Sequence, residues 1–301
     1  MPGQPQRRHP SDRIAVLALA IVAIVAIGLA GIVAGLGMTK HAAGSQSMAA
    51  LKHRELVART QAASWVVQQV DHSAVVSCDP AMCTALAKDG FPARKLMVLG
   101  PTSPTLPVAS QVVVVTPAVR DWFGSSLAAA YAPAVLTSFA SGNAEVSVRV
   151  MAPHGVVAYD AAADLDLAQR KAYGGALLGN HSRITIAGPA RQQLAVGQVD
   201  ARLVLAITTL AGQLPIDVIE FGNPGQGASP GIPLRVVDLA ANAPAASMTS
   251  SAYQQALHTA VTAATMVYVP DRTQTAVLPG HGTVIQVEFT APSPFGLLTG
   301  H

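Results

Sequence analysis

Ala74-Val-Val-Ser-Cys-Asp-Pro-Ala-Met-Cys-Thr-Ala-Leu-Ala-Lys88 is the stretch on which the fold turns. Ala74 to Ser77, β-branched and small, reads as a short strand, and Pro80 to Lys88 as a helix. Asp79 stands at the N-cap position. Pro80 occupies the first turn, where its missing N–H is not needed, and Gly90 stops the helix. The same grammar continues downstream. Lys95 to Leu99 reads as the next strand, with Pro101, Pro104 and Pro107 marking the loop after it. Val112-Val-Val-Val115 is the unbroken apolar run of a strand buried on both faces, and Thr116-Pro117 opens a second helix by cap and proline. Ala134 to Phe139 and Ala144 to Val150 are two further strands, joined at Ser141-Gly-Asn143. Five strands interleaved with helices predict a small α/β domain over residues 65–152.

A second α/β domain is expected over residues 153–301. Ala158 to Leu178 reads as a helix with Asp164, Asp166, Arg170 and Lys171 on its wet side. Arg183 to Ile186 follows as a strand, and Asp200 to Gly212 as a helix ended by Gly212 and Pro215. Ile216 to Phe221, Leu234 to Leu239 and Thr283 to Thr290 read as strands, with a helix from Ser251 to Thr265. The sheets are expected to be mostly parallel or mixed.

Upstream, Ile14 to Met38 is uncharged and rich in Ala, Ile, Val and Leu, longer than the roughly 20 residues that span a bilayer as a helix. A transmembrane helix is expected at 14–38. Residues 1–13 are then the cytoplasmic N-terminus, kept inside by Arg7, Arg8 and Arg13, and 39–64 form a membrane-proximal helix and linker. A cleaved signal ending near Ala42 and Gly44 is the competing reading, which the length of the apolar run disfavours.

The whole chain of 301 residues is 50% hydrophobic and only 12% charged, with a mean hydropathy of +0.39 and a pI near 9.0. Of its 19 bases and 16 acids, residues 1–40 hold four and one, leaving fifteen of each beyond them. The basic balance therefore belongs to the anchor region. The neutral remainder lacks the electrostatic footprint of a nucleic-acid binder.

Cys78 and Cys83 are the two cysteines. In an oxidising compartment a local disulfide is the natural pairing, tying a strand end to the first turn of the next helix; two buried thiols are the alternative. No histidine completes a metal motif with them, and no metal or cofactor is expected.

Candidate chemistry is sparse. Asp79 follows a strand at the end where open α/β sheets place ligands, so it is either an acid, base or ligand group or the cap of its helix, and Pro80 favours the cap. Gly222-Asn223-Pro-Gly225-Gln-Gly227 has the composition of a phosphate-cradling loop, yet a strand rather than a helix follows it, which suits a surface loop or ligand lid. No G-x-S-x-G elbow accompanies Ser141 or the scattered His154, His181, His258 and His281. Asp164 and Asp166 do not share a helix face. Strand alternation puts Asp217 and Glu220 on opposite faces.

The pattern Val75-Val-Ser-Cys-Asp-Pro-Ala-Met-Cys-Thr-Ala-Leu86 with Gly90-Phe91, then Thr116-Pro-Ala-Val-Arg120, then Ser138-Phe-Ala-Ser-Gly142 leading to Val146-Ser-Val-Arg149, resembles actinobacterial extracytoplasmic domains. Some of these are soluble domains of multi-spanning, lipid-sugar-dependent glycosyltransferases, and others stand on one membrane anchor without an assigned function. The resemblance implies a cell-envelope setting near glycan assembly. It does not imply transferase activity, because the catalytic part of such enzymes lies in a many-helix membrane domain. The expectation is a single-pass anchored, non-catalytic accessory or binding factor with an envelope protein or glycan as partner; the alternative is an anchored hydrolase or a solute- or glycan-binding receptor.

Overall fold

Two mixed sheets of five strands each organise the chain. A computed structural model describes residues 40–102, 107–179, 183–222, 229–241, 249–263 and 268–298. The expected membrane helix at 14–38 lies outside the described residues, and no described helix is long and apolar enough to cross a membrane. Both sheets belong to one compact unit, Leu51–His301.

Helix α1 (Lys40–Gln69) presents Ala58, Ala62, Trp65 and Val66 at helical spacing to the core of the first sheet. That sheet contains β1 (Val76–Cys78), β2 (Leu96–Val98), β3 (Val112–Val115), β4 (Val135–Phe139) and β5 (Val146–Val150), in the order β2-β1-β3-β5-β4. β2, β1 and β3 are parallel, while β5 pairs antiparallel with both β3 and β4. Helix α2 (Pro80–Lys88) starts on the Asp79 cap, and Gly90, at φ +106°, takes the left-handed position beyond its end. Helix α3 (Pro117–Ser126) starts on the Thr116 cap. Every residue of β3 is buried: Val112 and Val114 face the core shared with α1 and α2, and Val113 and Val115 the core shared with α3. A strand covered on both faces needs no polar alternation, which is why four consecutive valines fit there.

Helix α4 (Val156–Gly179) leads to β6 (Ile184–Ile186), α5 (Gly188–Ala195), α6 (Ala201–Gln213), β7 (Ile216–Gly222) and β8 (Val236–Ala240). Helix α7 (Ser250–Thr262) and the hairpin β9 (Arg272–Leu278) and β10 (Gly282–Glu288) complete the second sheet, ordered β6-β7-β8-β10-β9. β6 and β7 form its one parallel pair. The remaining pairings are antiparallel. Its core packs Leu203, Ile207 and Leu210 of α6 and Tyr253 and Leu257 of α7 against Val218, Leu239 and Ile285.

Two expectations from sequence are corrected. Asp166 and Arg170 are not on a wet face: they are 2% and 7% exposed and form a 2.7 Å ion pair. Arg170 also donates to the Gly197 carbonyl, and the Gly296 N–H donates to Asp166 at 3.2 Å. Helix α5 covers this face of α4 so closely that a Cβ on Gly174 would lie 2.4 Å from the Leu194 carbonyl oxygen. Asp217 and Glu220 are not on opposite faces. The register between β7 and β8 shifts between Val218 and Glu220, so Glu220 pairs with Asp238 on the face away from the core residues Ile216 and Val218.

Candidate functional site

Three of the segments singled out in sequence meet at the carboxyl end of the parallel strands. Asp79 leaves β1 and Thr116 leaves β3, two neighbouring strands, so their side chains converge. Thr116 donates to Asp79 Oδ2 at 2.5 Å, and the N–H groups of Ala81 and Met82 donate to Oδ1 at 3.0 Å each. Arg59, reaching down from α1, donates to both carboxylate oxygens at 2.8 and 3.1 Å and holds Glu55 at 3.0 Å. Burial works to raise the Asp79 carboxyl; the hydrogen bonds from Thr116, Met82 and Arg59, with the Arg59 charge, outweigh it and hold the group below its ordinary value. The Ser141–Asn143 turn lies beside this cluster, its carbonyls accepting from Arg54 and Arg120. An ionised carboxylate with this many donors is a structural anion rather than a poised base.

Cys78 and Cys83 are bridged, with Cα atoms 5.4 Å apart, fastening the end of β1 to the first turn of α2 immediately beside Asp79. Gly222 ends β7 opposite Val236, and its carbonyl accepts from the Arg235 N–H at 3.0 Å. The loop it opens joins two antiparallel strands. Asn223, Gly225 and Gly227 lie outside the described residues, as does His181.

A second charged cluster has almost no signature in the sequence. Asp200, fully buried, caps α6 through the Arg202 N–H at 2.8 Å and receives the Arg202 guanidinium at 3.0 and 2.9 Å. Burial works to raise its carboxyl; the hydrogen bonds and charge of Arg202 overcome that and hold it down. Arg202 also donates to the Thr290 carbonyl at 2.8 Å and lies 4.9 Å over the Phe289 ring. Arg235 donates to the carbonyls of Phe289 and Gln69 at 3.0 and 3.3 Å, and burial pushes it down to about 10. These arginines tie the end of α1 to the chain after β10, where Val70 and Ala291 form a parallel bridge. Only the capping part of this arrangement, an acid before a helix, has a local sequence signal; the other partners come from distant parts of the chain.

On the outer face of the second sheet, Glu220, Asp238, Gln286 and Gln274 stand in register on β7, β8, β10 and β9. Gln286 donates to Asp238 at 3.0 Å. Burial raises the Asp238 carboxyl, and the nearby Glu220 charge adds to the rise against the Gln286 hydrogen bond. Asp217 is likewise raised by burial, with His281 opposing.

A cavity of about 350 Å³ opens at the other end of the first sheet from Asp79. The approach to β3 supplies Ser110 and Gln111, the exit of β5 supplies Met151, and α4 supplies Tyr159 and Ala162. Residues 292–295 close it as a strap, with Tyr159 edge-on to Phe295 at 5.1 Å between ring centroids. His154 also lines it, whereas His258 and His281 do not. The chain matches no known protein family, no curated protein and no solved structure.

Proposed function

We infer that this chain is a single-pass, membrane-anchored extracytoplasmic protein that serves as a non-catalytic binding or accessory factor in a bacterial cell envelope, near glycan assembly. The observation that carries the binding reading is the cavity at the end of the first sheet away from Asp79. Its volume falls in the range of small-molecule sites, which are mainly apolar with a few placed polar groups. At the opposite end, where an open α/β sheet presents its chemistry, Asp79 is engaged by Arg59, Thr116 and its own helix. The anchored, outward-facing placement is supported by the apolar run Ile14 to Met38, by Arg7, Arg8 and Arg13 before it, and by the Cys78–Cys83 bridge, which suits an oxidising compartment.

A reporter fused after His301 tests the topology: activity outside the cytoplasm is expected, and activity only inside it overturns the anchor reading. Capture from mild detergent tests the accessory role. Co-purification with envelope-synthesis proteins is expected, and recovery of the protein alone overturns that role. A receptor for a small ligand is the second reading, favoured by a cavity enclosed by the end of the first sheet, α4 and residues 292–295.

A further inference from the structure

We propose that the cavity beside Tyr159 takes a neutral, largely apolar small molecule carrying one hydrogen-bond acceptor, with the Tyr159 hydroxyl as its polar anchor. The inference rests on the binding reading above and names the ligand class.

The walls argue for an apolar occupant. Val108, Val150, Met151 and Ala162 contribute alkyl surface, and Phe295 is held edge-on by Tyr159, leaving aromatic and aliphatic surface on either side of the space. Two of the polar groups behind these walls, the Ser110 hydroxyl and Gln111 Oε1, already have partners. The Ser110 hydroxyl donates to the Pro107 carbonyl at 2.6 Å and meets Ser77 Oγ at 2.9 Å. Gln111 Oε1 accepts from the Val75 N–H at 2.6 Å. The Ser293 hydroxyl, on the same lining, is buried and makes no hydrogen bond to the described residues, so it is a second polar group open to a ligand. A polyhydroxylated sugar needs many placed donors and acceptors, and with Ser110 and Gln111 Oε1 engaged elsewhere the cavity offers few.

Charge argues for a neutral occupant. Asp160 follows Tyr159 on α4, and Asp166 lies two turns further on; both add to burial in pushing the Tyr159 hydroxyl up to about 12. Tyr159 therefore stays protonated at every physiological pH and presents a donor, in a field that disfavours anions such as free fatty acids. His154 lines the same cavity at an exposed position. The space holds a ligand of about ten to fifteen non-hydrogen atoms.

Benzophenone fits this description and reports its own position when irradiated. The full 301-residue chain is titrated with it, irradiated and mapped by peptide mass spectrometry, with diphenylmethane, which has the same rings and no acceptor, as competitor. Saturable labelling is expected within residues 151–162 and 292–298, with diphenylmethane about fivefold weaker. Ala162→Trp, which fills the cavity from a partly exposed helix position, should abolish the labelling while hydrogen exchange in the sheets stays unchanged. Tyr159→Phe should retain labelling and erase the preference for the ketone. Labelling that does not saturate, that maps elsewhere, or that survives Ala162→Trp overturns the site. A ketone preference that survives Tyr159→Phe overturns the role of the hydroxyl. Because purified protein is used, failure here is distinct from failure of the topology or capture tests.

Discussion

The two sheets have the same number of strands and hold their buried charge in different ways. In the first, the capping carboxylate Asp79 is neutralised by Arg59, twenty positions away on α1, and Arg59 keeps a second partner in Glu55. In the second, Asp200 is neutralised by Arg202 two positions on, and a further buried cation, Arg235, looks to the same region. Both caps satisfy the opening N–H groups of a helix. They differ in what would be stranded if the acid were lost, and a buried pair costs most when one member is left alone.

The sharpest way to break the comparison is to remove each acid. Asp200→Ala leaves Arg202 buried without its paired carboxylate and Arg235 with only Glu288 and Asp271 to offset it, and is expected to cost about 3–5 kcal/mol in urea denaturation. Asp79→Ala leaves Arg59 paired with Glu55 and is expected to cost about 2 kcal/mol, much of it the lost cap. Equal losses would mean that the second cation and the alternative partner have no energetic role.

Reducing the Cys78–Cys83 bridge bears on the first sheet alone. It closes a very short loop, so its loss should cost about 2 kcal/mol or less. Hydrogen exchange should quicken in β1 and α2 and remain slow in β7, β8 and β10. Uniform loss of protection would erase the distinction between the two sheets.

The smallest expected effect is a difference in pH response. Asp79 and Asp200 sit below the ordinary carboxylate value, so what they contribute is present above about pH 4 and is lost as pH falls through their folded values. Asp217 and Asp238 sit above it, so their ionisation works against the folded state as pH rises past the ordinary value, and protonating them restores stability. Stability should rise slightly as pH falls through the raised folded values of Asp217 and Asp238 toward the ordinary value of about 4, and fall below it. Asp238→Asn should reduce the rise and leave the acid fall intact, as followed by urea midpoints across the range.

The same contrast explains how much is legible in the sequence. The first sheet can be read almost strand for strand, because its signals are local: an apolar run at Val112–Val115, and Asp79-Pro80 and Thr116-Pro117 at helix starts. The second hides two elements. In β9, Arg272–Leu278, no residue is buried, so its alternation carries no hydrophobic imprint; it is a strand because β10 pairs with it along its whole length. Helix α5 begins Gly188-Pro189 without a side-chain cap, so its start lacks half of the usual signal. Asp166 and Arg170 show charge at helical spacing, and nothing local to them announces that α5 will cover that face. The site divides likewise. Asp79 can be placed at a strand end from its neighbours. The cavity cannot, since its walls come from segments near residues 110, 151, 160 and 294, which only the completed fold assembles.

The bridge between Val70 and Ala291 gives the molecule a schedule as well as a shape. Ala291, fully buried, is part of the first core, alongside Val70 and Val76, although 140 or more residues of chain separate it from the strands it joins. During synthesis, and during any passage across a membrane, the first sheet can assemble its strands early. Its core stays open until residue 291 emerges, so half-made chains expose apolar surface that a chaperone must cover.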